Sequence, residues 1–154
     1  MTEGIKAPTT SGHLRHLQKM ATEKINAPPI AKLIGLDLIR IELGKSWFEF
    51  QAGPQHANPM GTLHGGVLCD LGDAALGMAM ATTLEDDESF TTLDLTAKYF
   101  KPVWSAKLHA TAVVTKRTRT LGLIECEIFD EKESLVCKLF STCMVLRGGE
   151  AKGR

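Results

Sequence analysis

The chain has no surplus of either charge: 18 Lys and Arg residues balance 18 Asp and Glu residues, for a net charge of +0. A nucleic-acid backbone is bound through clustered basic residues, so this balance argues against nucleic acid as a partner. Only six prolines are present, which argues against long disordered tracts. With 154 residues, 44% apolar and 23% charged, the chain has the size and composition of one soluble globular domain.

The sequence also lacks paired cysteines. Its four cysteines show no CxxC or CxxxC spacing, lie in apolar runs, and have no histidine at zinc-finger distance. This pattern predicts buried free thiols in a reducing compartment and no metal site. The first ten residues contain no apolar core, so we expect no secretory signal and a cytoplasmic protein. The cysteines are Cys69, Cys126, Cys137 and Cys143.

Only one apolar stretch approaches the length of a membrane span, over residues 66–84. It contains Asp70 and Asp73, each of which costs roughly 3 kcal/mol at the centre of a bilayer. An acidic cluster, residues 85–88, follows it directly. We therefore expect an enclosed helix of a globular protein rather than a membrane span.

Hydrophobic periodicity predicts a helix, two strands, a long helix and four strands. The first helix covers residues 11–24 with Ser11 as its N-cap, and a short helical piece follows over 30–34. This order indicates an α+β protein in which an antiparallel sheet wraps around one long central helix. The predicted strands cover residues 36–43, 46–51, 90–100, 107–116, 121–129 and 135–146, and the long helix covers 65–84.

Three segments are expected along the chain. Residues 1–29 form an N-terminal helix and linker, 30–147 the main domain, and 148–154 a flexible tail. A stretch of about thirty residues is too short for a DNA-binding unit with a linker. We expect the N-terminal helix to pack on the outer face of a dimer.

Two glycines, Gly65 and Gly66, open the long predicted helix, where each costs about 1 kcal/mol relative to alanine. The N-terminus of a helix presents unpaired N–H groups and roughly half a positive charge. A glycine there lets a substrate oxygen approach the backbone without a Cβ in the way. This combination favours an oxyanion site; the alternative is that the glycines only permit a tight turn into the helix.

Two carboxylates interrupt the apolar helix, where burying a charge is costly. Asp70 falls in the first turns, where a negative charge complements the helix dipole. Asp73 lies too deep for that explanation, so it is the stronger candidate for a functional carboxylate. The alternative for Asp73 is a structural hydrogen bond to a neighbouring strand.

These residues belong to two strings that resemble a known family. One string runs Asn58-x-x-Gly61-x-x-His64-Gly65-Gly66 and is followed by Asp73. The second, residues 92–103, reads TLDLTAKYFKPV in the strand after the helix. Both resemble the hotdog-fold thioesterases, in particular the PaaI-type and 4-hydroxybenzoyl-CoA thioesterase group, and the similarity runs over residues 30–147.

The resemblance implies a role for each matching position. Asp73 corresponds to the catalytic carboxylate, and Gly65 to the residue whose N–H polarises the thioester carbonyl. Asn58 helps to position the attacking group, His64 supports the oxyanion loop, and Thr92 supplies a hydroxyl facing the site. The chain departs from some members at Gly77, where they carry a hydroxyl one turn beyond the acid.

The phosphates of coenzyme A require cationic partners. The candidates are Lys98, Lys101, Arg117 and Arg119, of which Arg119 stands in a turn where relatives often have an arginine. The alternative is that these residues only form a solvated charged face.

The spacing of Gly65 and Asp73 predicts a dimer, because eight residues of helix separate them by about 12 Å. An oxyanion donor and a nucleophile or base must both lie within roughly 3–3.5 Å of the reacting group. One helix cannot supply both, but an antiparallel second copy can, which gives two composite sites per twofold dimer. We expect the axis to pass near Cys69, and the dimers to pair into a homotetramer.

The expected reaction is hydrolysis of an aryl- or fatty acyl-CoA to the free acid and CoA. Asp73 attacks the carbonyl carbon or activates a water, with no cofactor beyond the CoA of the substrate. The acyl pocket is expected between the long helix and the loop near Met60. One alternative is a hotdog-fold enoyl-thioester hydratase or dehydratase using His64 and Asp73; another is a non-enzymatic acyl-CoA binding protein.

Overall fold

The computed structural model describes residues 12–24 and 27–153. Its order of elements confirms the α+β prediction, including the short second helix. The predicted N-cap Ser11 lies outside the described residues. The helices are α1 (Gly12–Glu23), α2 (Pro29–Ile34) and α3 (Gly65–Ala81); the strands are β1 (Leu36–Glu42), β2 (Lys45–Ala52), β3 (Glu88–Tyr99), β4 (Ala106–Arg117), β5 (Leu121–Asp130) and β6 (Leu135–Arg147); short 3-10 helices cover Pro54–His56 and Gly148–Ala151.

The six strands form one antiparallel sheet in the order β1-β2-β4-β5-β6-β3. The connection between β2 and β3 carries α3 across the sheet, which places β3 at one edge beside β6. Strand β1 lies at the opposite edge. This arrangement of a sheet around one long helix is the predicted hotdog architecture.

Helix α3 is buried along one face only. Leu71, Ala75 and Ala79 are fully buried against the sheet, whereas Asp70 and Asp73 are exposed in the single chain. The prediction that the helix is enclosed on all sides is therefore wrong for one chain. Among the described residues, no helix is long and apolar enough to cross a membrane.

Helix α3 ends at Ala81, three residues before the predicted end. The hydroxyl of the buried Thr82 donates to the carbonyl oxygen of Ala79 at 2.6 Å and accepts from the N–H of Gly44 at 2.7 Å. The second contact ties the helix terminus to the turn between β1 and β2. A side chain that bonds back to the last turn in this way competes with further helix.

Bulges interrupt the alternation of side chains between the two faces of the sheet in β1 and in β3. In β3 the register with β6 shifts between Thr92 and Asp94, which leaves Leu93 as the extra residue. In β1 the shift falls between Leu38 and Arg40. A bulge changes which face the following side chains occupy, and bulges are frequent beside active sites.

Helix α1 packs mainly against β1, close to the C-terminal part of α3. Leu17 and Ala21 of α1 form a buried cluster with Ile41 of β1, and Met78 and Ala81 of α3 pack against this cluster. The expected location of α1 on the outer face of a dimer stays a prediction. At the other terminus, Gly148–Ala151, where the sequence suggested a flexible tail, form a 3-10 turn.

The thiols are free, as predicted, and three of the four are buried. Burial in particular raises the pKa of Cys126 to about 12 and that of Cys137 to about 11. Such thiols are protonated and unreactive at neutral pH. The exception is Cys69, which is only half-buried.

Candidate active site

The loop before α3 is closed by Asn58. Its side-chain oxygen accepts from the N–H groups of Met60 at 2.9 Å and Thr62 at 3.2 Å, and its amide nitrogen donates to the Thr62 hydroxyl at 2.9 Å. Gly61 completes the turn with φ 83°, a conformation that favours glycine. The structure thus engages Asn58 in shaping the loop that leads into α3.

His64 is the N-cap of α3. Its Nδ1 atom accepts a hydrogen bond from the N–H of Gly66 at 2.9 Å, and its carbonyl oxygen accepts one from Val67 at 3.0 Å. The Gly65 N–H, by contrast, has no acceptor within the described part of the chain. The cap therefore leaves the first helical amide available to a ligand, where the helix dipole favours negative charge.

Tyr99 lies over the start of the same helix. Its hydroxyl donates to the carbonyl oxygen of Gly65 at 3.2 Å and lies 3.1 Å from the sulfur of Cys69. The hydrogen bond with Cys69, with burial, raises the pKa of Tyr99 to about 12, so the phenol stays protonated. A Cβ on Gly65 would lie 3.2 Å from the ring. Sequence reasoning included Tyr99 in a motif but assigned it no role.

Asp73 is exposed along the flank of α3. Desolvation, and then the negative charge of Asp70 one turn earlier, raise its pKa above the usual value of 3.8. No side-chain hydrogen bond ties Asp73 to another described residue, so the predicted alternative of a structural bond to a strand has no support there. A carboxylate without such a partner keeps its lone pairs for a substrate or water.

Thr92 and Asp73 share a neighbour, the buried Cys143. The Thr92 hydroxyl is 3.9 Å from the sulfur of the buried Cys143. Burial raises the pKa of Cys143, and the charge of Asp73 adds to that effect. Strand β3 thus places its threonine in the surroundings of the helix carboxylate, directly before the bulge.

A cavity of about 540 Å³ opens beside Asp73. Ligand pockets commonly measure about 300–1,000 Å³ and are mostly apolar with a few polar groups. The walls of this cavity are largely aliphatic and aromatic, and Asp70 and Asp73 supply carboxylates on its α3 side. Among the described residues, no group of three or more His, Cys, Asp and Glu side chains is arranged to hold a metal ion.

Comparison with known proteins shows the family of this chain. The family model described as the thioesterase superfamily matches residues 60–137, which include Gly65, Asp73 and Thr92. The chain belongs to the thioesterase superfamily. It is a hotdog-fold thioester hydrolase.

Similar proteins agree with this assignment. The chain is 28% identical over 116 residues to the 1,4-dihydroxy-2-naphthoyl-CoA hydrolase of Listeria monocytogenes, covering 75% of this chain and 93% of that protein. The PaaI protein of the E. coli phenylacetic acid degradation operon superimposes with a TM-score of 0.77 at 22% identity, over 90% of this chain and 98% of that one. A Haemophilus influenzae thioesterase gives 0.74 at 23% identity, over 87% and 90%. The two solved structures show the shared fold.

The four basic residues expected to contact CoA have different surroundings. Lys101 forms an ion pair with the buried Asp130, and mainly this hydrogen bond lowers the pKa of Asp130 to about 2. Arg117 is nearly buried and pairs with Glu88 at 2.7 Å. Lys98 and Arg119 are exposed, and neither forms an ion pair with another described residue. In this thioesterase, Lys98 and Arg119 are therefore the two candidates whose charges no ion pair with a described residue neutralises.

Proposed function

We propose that this thioesterase hydrolyses acyl-CoA at a site composed of Asp73 of one chain and the Gly65 N–H of a second copy. The observation that carries the proposal is the position of Asp73, an unpaired carboxylate at the edge of a large apolar cavity. The acyl-CoA hydrolase among the relatives supports CoA as the leaving group.

The second copy is required by the length of α3. Gly65 and Asp73 lie on one helix, about 12 Å apart along its axis. This is too far for both groups to contact the same reacting carbonyl. Strand β3 is an edge strand that exposes 53% of Leu93 and 57% of the adjoining Phe100. An unpaired edge with large exposed apolar side chains favours pairing with another chain.

In the proposed reaction the Asp73 carboxylate is ionised, and the Gly65 N–H donates to the thioester oxygen as negative charge develops there. In one route an Asp73 oxygen bonds to the carbonyl carbon, the C–S bond breaks, and its electron pair leaves with the CoA sulfur. Water then cleaves the resulting anhydride to the free acid. In the other route Asp73 takes a proton from an attacking water. Either route forms a thiolate whose parent thiol has a pKa near 8.5, so the leaving group needs little assistance.

The surroundings of His64 favour this reaction over hydration of an enoyl thioester. Its Nδ1 atom already caps α3 through Gly66. Nothing in this arrangement directs the pair at a Cα–Cβ bond.

The direct test is release of thiol from a panel of acyl-CoAs by Asp73→Asn and by its matched control Asp70→Asn. Both substitutions remove one exposed carboxylate from the same helix flank. We expect Asp73→Asn to lower kcat by roughly 10² or more with binding retained, and Asp70→Asn to leave kcat at neutral pH within about threefold. Unchanged turnover by Asp73→Asn would exclude Asp73 from the reaction.

A further inference from the structure

The N-terminal helix α1 and the linker after it form one wall of the cavity beside Asp73. Met20 and Lys24 of α1 line it, as do Pro28, Ile30 and Ala31 around the start of α2. These residues precede the part of the chain matched by the thioesterase family, which begins at residue 60. This wall therefore lies outside the segment that the family model matches.

The α3 side of the cavity includes a stripe of residues spaced four apart. Asp73, Gly77 and Ala81 follow one another at intervals of four residues and all line the cavity. From Asp73 to Ala81 the stripe runs about 12 Å along the helix. The cavity thus extends from the carboxylate toward the C-terminal end of α3.

Met20 lies near the C-terminal end of α3. It packs against the cluster of Leu17, Ala21 and Ile41, which Met78 and Ala81 of α3 also contact. At the middle of the stripe, Gly77 has no side chain, and a Cβ there would meet only Phe90 at 3.6 Å. Space therefore continues past Gly77 until α1 closes it.

The polar groups at the α1 end of the cavity already have partners. Lys24 lies at the end of α1 with φ 49°, and its ammonium donates to the Asp37 carboxylate at 2.7 Å. This ion pair links α1 to the start of β1. It leaves an aliphatic surface of Met20, Leu38 and Met78 for a substrate.

We propose that α1 determines the length of acyl group that this thioesterase accepts, with Met20 as the specificity-determining side chain. The favoured substrates are CoA thioesters of unbranched aliphatic acids, whose chains run along the α3 stripe and end against Met20. This inference rests on the proposed function, because it places the thioester carbonyl at Asp73.

The test is a chain-length profile of kcat/KM from butyryl-CoA to palmitoyl-CoA, with benzoyl-CoA and 1,4-dihydroxy-2-naphthoyl-CoA as aromatic substrates. Met20→Trp is expected to lower kcat/KM for the longest accepted chains by about tenfold or more, while butyryl-CoA changes by less than about twofold. Met20→Ala is expected to shift the optimum to longer chains. Gln18→Trp is the matched control, because it adds the same ring to an exposed position of the same helix.

Ala81→Leu provides an independent variant, since it fills the same end of the cavity from α3. It should lower kcat/KM for the longest accepted chains, as Met20→Trp does. The test therefore stays informative if one of the two variants does not fold. A profile that is unchanged in the folded variants, or shifted equally by Gln18→Trp, would overturn the role of α1. A wild-type preference for the aromatic substrates would overturn the aliphatic class.

The two proposals fail separately. If Asp73→Asn loses turnover on every substrate while the Met20 and Ala81 variants keep the wild-type profile, only the role of α1 is wrong. If Asp73→Asn retains full turnover, the proposed site is wrong whatever the chain-length profile shows.

Discussion

The chemistry of the site depends on how one carboxylate is set beside another. Asp70 and Asp73 are three residues apart on α3, so they are neighbours on its surface. Desolvation and the charge of Asp70 both raise the pKa of Asp73, whereas the proposed reaction uses Asp73 in its ionised form. Activity should therefore fall on the acid side as Asp73 gains a proton, at a higher pH than for an ordinary aspartate.

Asp70→Asn tests this coupling. Removing the negative charge lowers the pKa of Asp73, so the acid limb of kcat/KM against pH should move to lower pH. Asp87→Asn, which removes an exposed carboxylate from the loop after α3, should leave the limb in place. If the acid limb of the pH profile does not move in Asp70→Asn, the limb reports the titration of a group other than Asp73.

Two glycines of α3 should respond oppositely to alanine. At Gly77 a Cβ has an ordinary contact of 3.6 Å with Phe90, whereas at Gly72 it would lie 2.5 Å from a methyl carbon of the fully buried Leu139. Gly77→Ala should therefore stabilise the fold by up to about 1 kcal/mol, or roughly 2–4 °C in Tm. Gly72→Ala should lower Tm, and equal shifts in thermal denaturation would contradict the packing described for α3.

At the level of single residues, sequence reasoning could identify polar groups that an apolar helix does not need. Asp73 was predicted as a candidate in that way, and Gly65 from the pair of glycines at the start of the helix. Tyr99 was not assigned a role, because its contact with Gly65 joins residues 34 positions apart. The partner of Arg117 was missed for a similar reason, since Glu88 lies 29 residues away and reaches it only through the sheet.

At the level of elements, one ion-pair cluster joins three strands. Glu88 at the start of β3 pairs with Arg117 at the end of β4 and with Arg147 at the end of β6. The Glu88 and Arg117 side chains are only 5% and 12% exposed. Burial opposes ionisation of Glu88, but the backbone hydrogen bond with Glu85 and the two arginines outweigh it and lower its pKa.

Glu88→Gln should therefore destabilise the fold by about 3 kcal/mol at neutral pH, because it leaves Arg117 buried without its counter-charge. A carboxyl group whose pKa is lower in the folded than in the unfolded state stabilises the fold at pH values above its unfolded pKa. This stabilisation is lost as the pH falls through the folded pKa. The difference in unfolding free energy between wild type and Glu88→Gln should accordingly shrink below about pH 4.5. Glu125→Gln, which removes half of a more exposed pair with Lys138, should cost less than about 1 kcal/mol. A pH-independent difference in denaturant unfolding would contradict this assignment.

The order and type of the elements could be predicted because alternating and helical periodicities are strong in this chain. The elements that α1 packs against could not be predicted, since an apolar stripe shows that a helix is covered but not which element covers it. The bulge at Leu93 was equally hidden, because it depends on the register between β3 and β6. The assumption that α3 is enclosed failed because its apolar composition does not reveal which stripe the sheet leaves open.

At the level of the whole molecule, the proposed site is incomplete in one chain. A free Gly65 amide lies at one end of the exposed flank of α3 and Asp73 lies two turns further on, beside the open β3 edge. In the proposed dimer, a second copy placed antiparallel would bring each amide to the other chain's carboxylate. The axis near Cys69 and the pairing of dimers into tetramers stay predictions.

Gly65→Pro removes the proposed oxyanion donor with little disturbance of the helix. Proline is favoured at the first helical position, where its missing N–H breaks no helical bond. The preceding His64 is already extended, with ψ 129°, as a residue before proline requires. Gly65→Ala is the matched control, since it makes the same Cβ contact with Tyr99 but keeps the N–H. We expect kcat to be about 10²–10³-fold lower in Gly65→Pro than in Gly65→Ala, because both add the Cβ and only proline removes the N–H.

Mixing the two inactive variants, Asp73→Asn and Gly65→Pro, tests the shared site most directly. Each mixed dimer regains one intact site, with Gly65 from the first chain and Asp73 from the second. After refolding an equal mixture, half of the dimers are mixed, so thiol release should return to about a quarter of the wild-type value per chain. A mixture that contains mixed dimers yet stays as inactive as its parents would show that the two groups act within one chain or not at all.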